Sequence, residues 1–407
     1  MVIASALAAA CSEHTVGGAA CPILCPEQNV TVLDTVFEAV ALDSSVSGFP
    51  PFGTEPSLLL ATRGDTLDTR AVVRFDSLKA FYTTPAGDSA VEQVDSAYVQ
   101  LHIDKVHSTY TAPVTIQVFN VDTVEADTSV VAEAQNFTPH RLIGTVTLDT
   151  NQILDSIRVP LDTAAVRAAV LDRSRLRLGL RATSAAPVML QVVSAEGGQG
   201  PVLRYFAVPD SAIAPVETQS NVTGLISKII APDFRDYLVV IKAPPTPGNP
   251  ILTVGGVPGR RVYLRFNIPS HIVDSSTVLR AALILTENPN HEIDEEKVLT
   301  IYPQLVVAGN DVLDIGRSTL LLAPAGLGFD SVQVTPKDSG EVQIEIVNAV
   351  RTWSQTIAKN AQRAIVLRTP DEALLPHRVF FFSSEAPAAV RPRLRVNYSP
   401  RAKFGIP

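Results

Sequence analysis

The feature that most constrains this 407-residue chain is that its second half repeats the first, segment by segment and in order. AVVRFDSL at 71–78, followed by VDSAYVQLHI at 94–103, returns as VYLRFNIP at 262–269, followed by VLRAALILT at 278–286. Arg74-Phe75 and Arg265-Phe266 stand 191 residues apart, whereas Val94 and Val278 stand 184 apart, so one intervening loop is longer in the first copy. TIQVFNV at 115–121 parallels LTIYPQLV at 299–306, and AAVRAAV at 164–170 parallels NAVRTWS at 348–354. SAEGGQGPVLRYF at 194–206 corresponds to SSEAPAAVRPRLRVNY at 383–398. Matches kept in order over this length mark a tandem duplication. Two equal units also fit the length, at roughly 100–200 residues per domain.

Within each copy the local code is mostly strand. VQLHI, TIQVF, RLRLGLRA and VMLQVV in the first copy, and VYLRF, AALIL, EVQIEIV and VFFF in the second, are short β-rich runs, several alternating apolar with polar residues. Pro, Gly, Asp, Ser and Asn clusters separate them, and the 30 prolines fall largely at these breaks, where a missing N–H does least harm. One helix per copy is expected, at 161–171 and at about 346–359, where apolar residues fall at helical spacing. The expectation is an all-β chain: two tandem antiparallel β-sandwich domains of jelly-roll style, each with one short helix. The boundaries expected are a first sandwich at 31–206, a turn-rich linker at 207–224, a second sandwich at 225–400 and a tail at 401–407.

The N-terminus reads as an export and anchoring signal. MVIASALAAAC places ten small or apolar residues before Cys11, in the manner of a bacterial lipobox, and a polar run follows. The match is partial, because Leu7 stands four residues before Cys11 rather than three and no basic region precedes it. The competing reading is a short apolar tail with an incidental cysteine. If residues 1–11 are the anchor, Cys11 takes the lipid, and the remaining cysteines, Cys21 and Cys25 in CPILC, form an even pair suited to a small disulfide loop within a linker at 12–30. A lone C-x3-C is a weak metal signature. The rest of the chain lacks the ~18 consecutive apolar residues of a spanning helix. With 33 Lys and Arg against 41 Asp and Glu, and the basic residues scattered, recognition of nucleic acid through phosphate neutralisation is not expected.

The repeated segments resemble the DNRLRE family of bacterial surface and secreted β-sandwich modules. The second copy carries Arg265-Phe266, Val350-Arg351 with Trp353, Ser384-Glu385 and Arg391-Pro392-Arg393-Leu394 with Tyr398 in that family's order. The first keeps Arg74-Phe75 and Val166-Arg167, with Ala169 at the tryptophan position and GPVLRYF as its closing strand. The resemblance spans about 55–206 and 235–399 and implies non-catalytic accessory modules, some associated with polysaccharide.

No catalytic constellation emerges from the residues. HEIDE at 291–295 has Glu295 where H-E-x-x-H needs a histidine, and Pro289 argues for a loop. His102 and His107 are expected on opposite sides of a strand end, with Asp104 on the face of His102. GDTLDTR at 64–70 lacks calcium-loop spacing, which leaves room for no more than an incidental structural cation. The N-x-S/T matches at 29–31, 136–138 and 221–223 read as turns. Aromatic residues are only 6% of the chain, and its one tryptophan, Trp353, lies on the apolar side of a helix and is expected in the core. The expected function is therefore non-catalytic, without a cofactor: a periplasmic or cell-surface protein held to the bilayer through its N-terminus. Its first-choice role is an accessory subunit docking on a membrane protein complex, with an energy-converting or photosynthetic assembly as one example. The alternative is a lipoprotein that binds surface polysaccharide.

Overall fold

Each copy folds as antiparallel sheets packed face to face, because strands such as 97–102 and 393–398 bury every second residue. The computed structural model describes residues 31–38, 40–50, 53–76, 78–84, 86–123, 134–150, 153–207, 211–213, 216–217, 236–306, 330–353 and 363–401. The first half runs β1 (Leu33–Phe37), β2 (Val40–Phe49), β3 (Ser57–Arg63), β4 (Leu67–Phe75), the hairpin of β5 (Phe81–Thr84) and β6 (Gly87–Ala90), β7 (Val94–His102), β8 (Thr109–Tyr110), β9 (Val114–Asn120), β10 (Leu142–Leu148) and β11 (Ser156–Pro160). Helix α1 (Thr163–Leu171), β12 (Leu176–Ser184), β13 (Val188–Val193) and β14 (Val202–Ala207) complete it. β15 (Ser211–Ala212), β16 (Val216–Glu217) and β17 (Asp236–Lys242) lead into β18 (Ile251–Gly255), β19 (Gly259–Phe266), helix α2 (Ser270–Val273), β20 (Ser276–Asn288) and β21 (Leu299–Val306). The chain closes with β22 (Val332–Val334), β23 (Gly340–Glu345), helix α3 (Val347–Trp353), β24 (Ala364–Arg368), β25 (Arg378–Phe382) and β26 (Arg393–Pro400).

The first sandwich packs an eight-stranded sheet, containing β3, β4, β9, β12 and β13, on a five-stranded sheet of β11, β7, β14, β15 and β16. Its core runs between the two layers through Leu58, Val73, Val99, Leu101, Val118, Leu178 and Tyr205. The second packs a six-stranded sheet (β1, β26, β20, β25, β18 and β23) on a five-stranded one (β2, β19, β24, β21 and β22), with Leu264, Leu283, Ile301, Phe381 and Val396 between them. The two expected helices each close one core. In α1 the Asp162 side chain accepts from Ala164 N at 2.9 Å, capping the first turn, and Val166, Ala169 and Val170 face inward. In α3 the buried residues are Ala349, Val350 and Trp353. The expected helix runs on to about 359, but 354–359 lies outside the described residues. The second copy adds the single turn of α2, which buries Ile272 and Val273.

The strands that precede each copy cross to the other one. β1 pairs with β26 and β2 with β19, so residues 33–49 complete the second sandwich. Reciprocally, β16 pairs with β14 and β17 with β4, completing the first. The duplicated residues make the same contact on both sides. Asp43 in β2 accepts from Ser384 N at 2.6 Å and Ser384 Oγ at 2.8 Å, while Asp236 in β17 accepts from Ala195 N at 2.8 Å. Those donors occupy matching places in the SSE and SAE segments that precede β26 and β14.

Between the sandwiches lies a small apolar cluster of Leu59, Ala61, Leu67 and Leu238 from the first and Val257 and Ala373 from the second. Gln191 Nε2 donates to Leu374 O across this junction, and the Arg378 guanidinium donates to Pro244 O and Pro245 O. Beside it, Arg261 forms a fork with Glu372, Nε to Oε1 at 2.6 Å and Nη2 to Oε2 at 2.7 Å, with both side chains almost fully buried. The Phe49 ring, at the end of the donated β2, stacks 3.8 Å from the same guanidinium. A buried carboxylate removed alone leaves an uncompensated cation. Glu372→Ala is therefore expected to destabilise the chain by about 3–5 kcal/mol in urea unfolding, and Arg261→Met with Glu372→Leu to recover most of that loss. Because each half donates strands to the other, a protease site inserted between residues 217 and 236 and then cut is expected to leave both fragments co-eluting in native gel filtration. Separation without denaturant would contradict the exchange.

Candidate binding face

The outer faces of equivalent sheets differ between the copies. In the second sandwich the face of β26, β20 and β23 is tiled by ion pairs: Arg395 Nε lies 3.0 Å from Asp34 of β1, Arg280 Nη2 lies 3.2 Å from Glu345, and Arg393 pairs with Glu341. Each arginine faces a carboxylate on a neighbouring strand, so the surface is close to neutral. The first sandwich presents the same positions on β14, β7 and β11. Cross-strand register sets Arg204 against Tyr98, Phe206 against Ser96, Gln100 against Arg158 and Tyr98 against Pro160. The corresponding pairs in the second copy set Arg395 against Ala282, Asn397 against Arg280, and Ala282 against Glu345. The two acids of β23, Glu341 and Glu345, are thus replaced by Ser156 and Pro160 of β11.

What remains is a cationic and aromatic face. Tyr98 and Phe206 lie with ring centroids 6.4 Å apart and planes tilted by 31°, and the Arg158 guanidinium sits 5.2 Å from the Tyr98 centroid. Arg158 is exposed, while Tyr98, Gln100, Arg204 and Phe206 are half-buried. Among the described residues no carboxylate pairs with Arg158 or Arg204. At one end, His102 Nδ1 lies 3.1 Å from Gln199 O and its Nε2 lies 3.4 Å from Gln100 Nε2, which fixes both side chains along the strand. The face follows from the alternation in AYVQLH, which turns Tyr98, Gln100 and His102 to one side. Tyr98, Arg158, Arg204 and Phe206 carry no motif and escape a search for motifs.

The other sequence candidates disperse. Cys11, Cys21 and Cys25 lie outside the described residues. His107 separates from His102, as expected, but Asp104 partners His107 rather than His102. Residues 104–107 leave the strand in a turn, and Asp104 Oδ2 comes to 2.6 Å from His107 Nδ1 while Oδ1 accepts from Val106 N at 2.9 Å. The HEIDE segment is a loop whose charges are met locally: His291 pairs with Glu295, Arg378 with Glu292, and Lys337 with Glu296 at 2.5 Å. Trp353 is 2% exposed within the second core. Of the tyrosines, Tyr237 and Tyr263 are fully buried and Tyr302 is exposed. Phe137 of the NFT segment lies against Gly179 of β12, where a Cβ would come within 2.6 Å of the ring, so glycine is what allows the close approach.

Two further places gather polar groups. A cleft of about 180 Å³ at the junction is lined by His107, Lys297, Thr369, Asp371 and His377. His377 is 2% exposed, and burial lowers its pKa against the opposing pull of Asp294. Below the donated strand β17, Asp236 faces Glu196 and Glu55. Glu55 Oε2 and Asp236 Oδ1 have no hydrogen-bond partner. Burial pushes Glu55 up to about 8, with backbone N–H groups of Glu55, Gly53 and Leu238 opposing in part. Burial, then the Glu196 charge, push Asp236 up to about 8 as well. Among the described residues no group of three His, Cys, Asp or Glu is arranged to hold a metal ion. No described helix is long and apolar enough to cross a membrane.

No family model matches this chain, and no curated protein matches it. Among solved structures it is similar to the N-terminal CBM22-1-CBM22-2 tandem domain of Paenibacillus barcinonensis Xyn10C, at 8% identity and a TM-score of 0.16, over 89% of this chain and 98% of that one. A structure described as BspA_C_mut aligns at 8% identity and a TM-score of 0.15, over 85% and 91%. The infectious bursal disease virus VP2 subviral particle aligns at 9% identity and a TM-score of 0.11, over 91% and 77%.

The carboxyl cluster generates a pH prediction. With folded pKa values near 8 against ordinary values of 3.8 and 4.5, the native state binds more protons than the unfolded chain between about pH 4 and 8. Stability is fully present below that window and falls as pH rises through it. Thermal midpoints are expected to decline from pH 5 to pH 8. Asp236→Asn, which keeps an acceptor for Ala195 N, is expected to flatten the decline and to be more stable than the parent at pH 8.

Proposed function

We propose that this chain is a non-catalytic binding and scaffold protein, exported and held to a bilayer on its N-terminal side, that resembles the DNRLRE modules in tandem. Its first role is that of an accessory subunit docking on a membrane protein complex. The observation that carries this reading is an apolar edge where the N-terminal segment enters the second sandwich. Val32 is 54%, Val36 45%, Leu33 39% and Leu279 39% exposed. Val32 and Leu279 share a groove of about 430 Å³ with Arg395 and Asn397. Apolar side chains gathered at one edge and rimmed by polar groups are the composition of a protein contact. Periplasmic or cell-surface location follows from the lipobox-like run ending at Cys11.

A second reading, recognition of surface polysaccharide, is favoured by the paired rings of Tyr98 and Phe206 on an open sheet face. The two roles use opposite sandwiches and are separable. Mild-detergent extraction of native membranes, followed by size separation and mass spectrometry, is expected to find the chain in stoichiometric co-migration with a membrane complex. Val36→Asp with Leu279→Asp, both at exposed positions, is expected to abolish co-migration without lowering thermal stability by more than a few degrees. Migration of the parent chain alone, carrying a diacylglyceryl mass on Cys11, would leave polysaccharide recognition as the main role.

A further inference from the structure

We infer that the open face of β14, β7 and β11 binds an anionic polysaccharide of the uronate class, a proposal that rests on the polysaccharide reading and adds the charge and the address of the ligand. The duplication supplies an internal reference. One ancestral sheet face exists in two versions, and the second copy shows what it looks like with each arginine matched by a carboxylate. In the first copy two of those ion pairs are gone on both sides, Arg280 with Glu345 replaced by Ser96 with Pro160 and Arg393 with Glu341 by Val202 with Ser156, while the arginine equivalent to Arg395 survives as Arg204 and a further cation stands at Arg158, where the second copy has Gln343. Asp95, at the start of β7, is the first acid along that strand and pairs with neither arginine. Arg158 and Arg204 form no ion pair among the described residues; two such cations on one sheet face favour an anionic ligand, and the guanidinium fork matches a carboxylate in two parallel hydrogen bonds.

The aromatic pair selects among anions. Tyr98 and Phe206 stand where the second copy has Ala282 and Asn397, so the first copy carries two rings on this face that the second lacks. Rings 6.4 Å apart offer apolar surface to the C–H face of a pyranose, with the Arg158 guanidinium 5.2 Å from the Tyr98 centroid as the adjoining cation. Gln100, braced by His102, supplies a donor and an acceptor within the same row. Ring faces beside two cations suit a sugar that carries a carboxylate better than a bare phosphate or an acidic peptide.

The test is affinity electrophoresis of the full chain in gels containing polygalacturonate, its fully methyl-esterified form, or polyglutamate. Polygalacturonate is expected to retard the parent chain, the methyl ester to bind at least about tenfold more weakly, and added salt to weaken binding. Tyr98→Ala and the double variant Arg158→Gln with Arg204→Gln are each expected to lose about tenfold or more, with unchanged thermal midpoints showing that both fold. Arg393→Gln, on the ion-paired face of the second sandwich, is expected to bind like the parent. Equal binding of the methyl ester, abolished by Tyr98→Ala, would overturn the anionic assignment and leave the polysaccharide reading standing. Equal retardation by polyglutamate that ignores Tyr98→Ala would overturn the sugar assignment. Unchanged binding by the double arginine variant would overturn the address. No retardation by either polysaccharide would overturn both this inference and the polysaccharide reading.

Discussion

The reciprocal transfer of strands between the two copies is the constraint on which the remaining structure depends. β2 and β17 each precede one copy in sequence and pair with the other, anchored by an aspartate, Asp43 or Asp236, that accepts from the backbone preceding a closing strand. Each half packs residues on the other: Phe37 and Val40 pack on the second core, and Tyr237 and Val239 of β17 join Val72, Phe119 and Phe137 in a cluster on the first sandwich. The junction is therefore part of the fold rather than a docking of finished domains. Its composition agrees with that, since Leu59, Leu238 and Val257 are buried and the Arg261–Glu372 fork lies beside them with Phe49 across its plane. Arg70, the first-copy equivalent of Arg261, repeats the device with Asp68 and the Phe137 ring.

Sequence pattern and physical cause diverge at identifiable places. Strand existence, antiparallel layering, the two helices and the burial of Trp353 were legible, because period-2 and helical spacing record which side of an element meets a core. Which sheet β2 joins was not. An amphipathic strand carries its inner face in its sequence but not the identity of its neighbour, and ten residues of VALDSSVSGF fit the edge of either copy. The carboxyls of Glu55 and Asp236 were unreadable for the same reason: they are 181 residues apart and meet only because β17 crosses over.

The candidate face was half-legible. Alternation places Tyr98, Gln100 and His102 together, and the repeat identifies Arg204 with Arg395. The added cation Arg158, opposite Gln100 where Gln343 stands opposite Ile284, lies in β11, whose equivalence to β23 is fixed by ladder register rather than by any similarity of SIRVP to GEVQIE. Asp104 shows the limit of face arguments at a strand end: once the chain turns, spacing of two no longer means one side, and the carboxylate swings to His107.

The strand exchange also sets how the body would carry tension. Leu33 pairs with Tyr398, so the chain enters and leaves the second sandwich at adjacent strand ends, and pulling those two ends apart would open the β1–β26 ladder one rung at a time. A pull between residue 31 and the open face of the first sandwich takes another route. It runs lengthwise along β2, where the paired rungs from Val40 to Phe49 share the load in shear, and passes into β3 beside the Arg261–Glu372 fork. The same body thus presents its rungs one at a time when its second sandwich is pulled at the ends, and all together when it is stretched between residue 31 and the first sandwich.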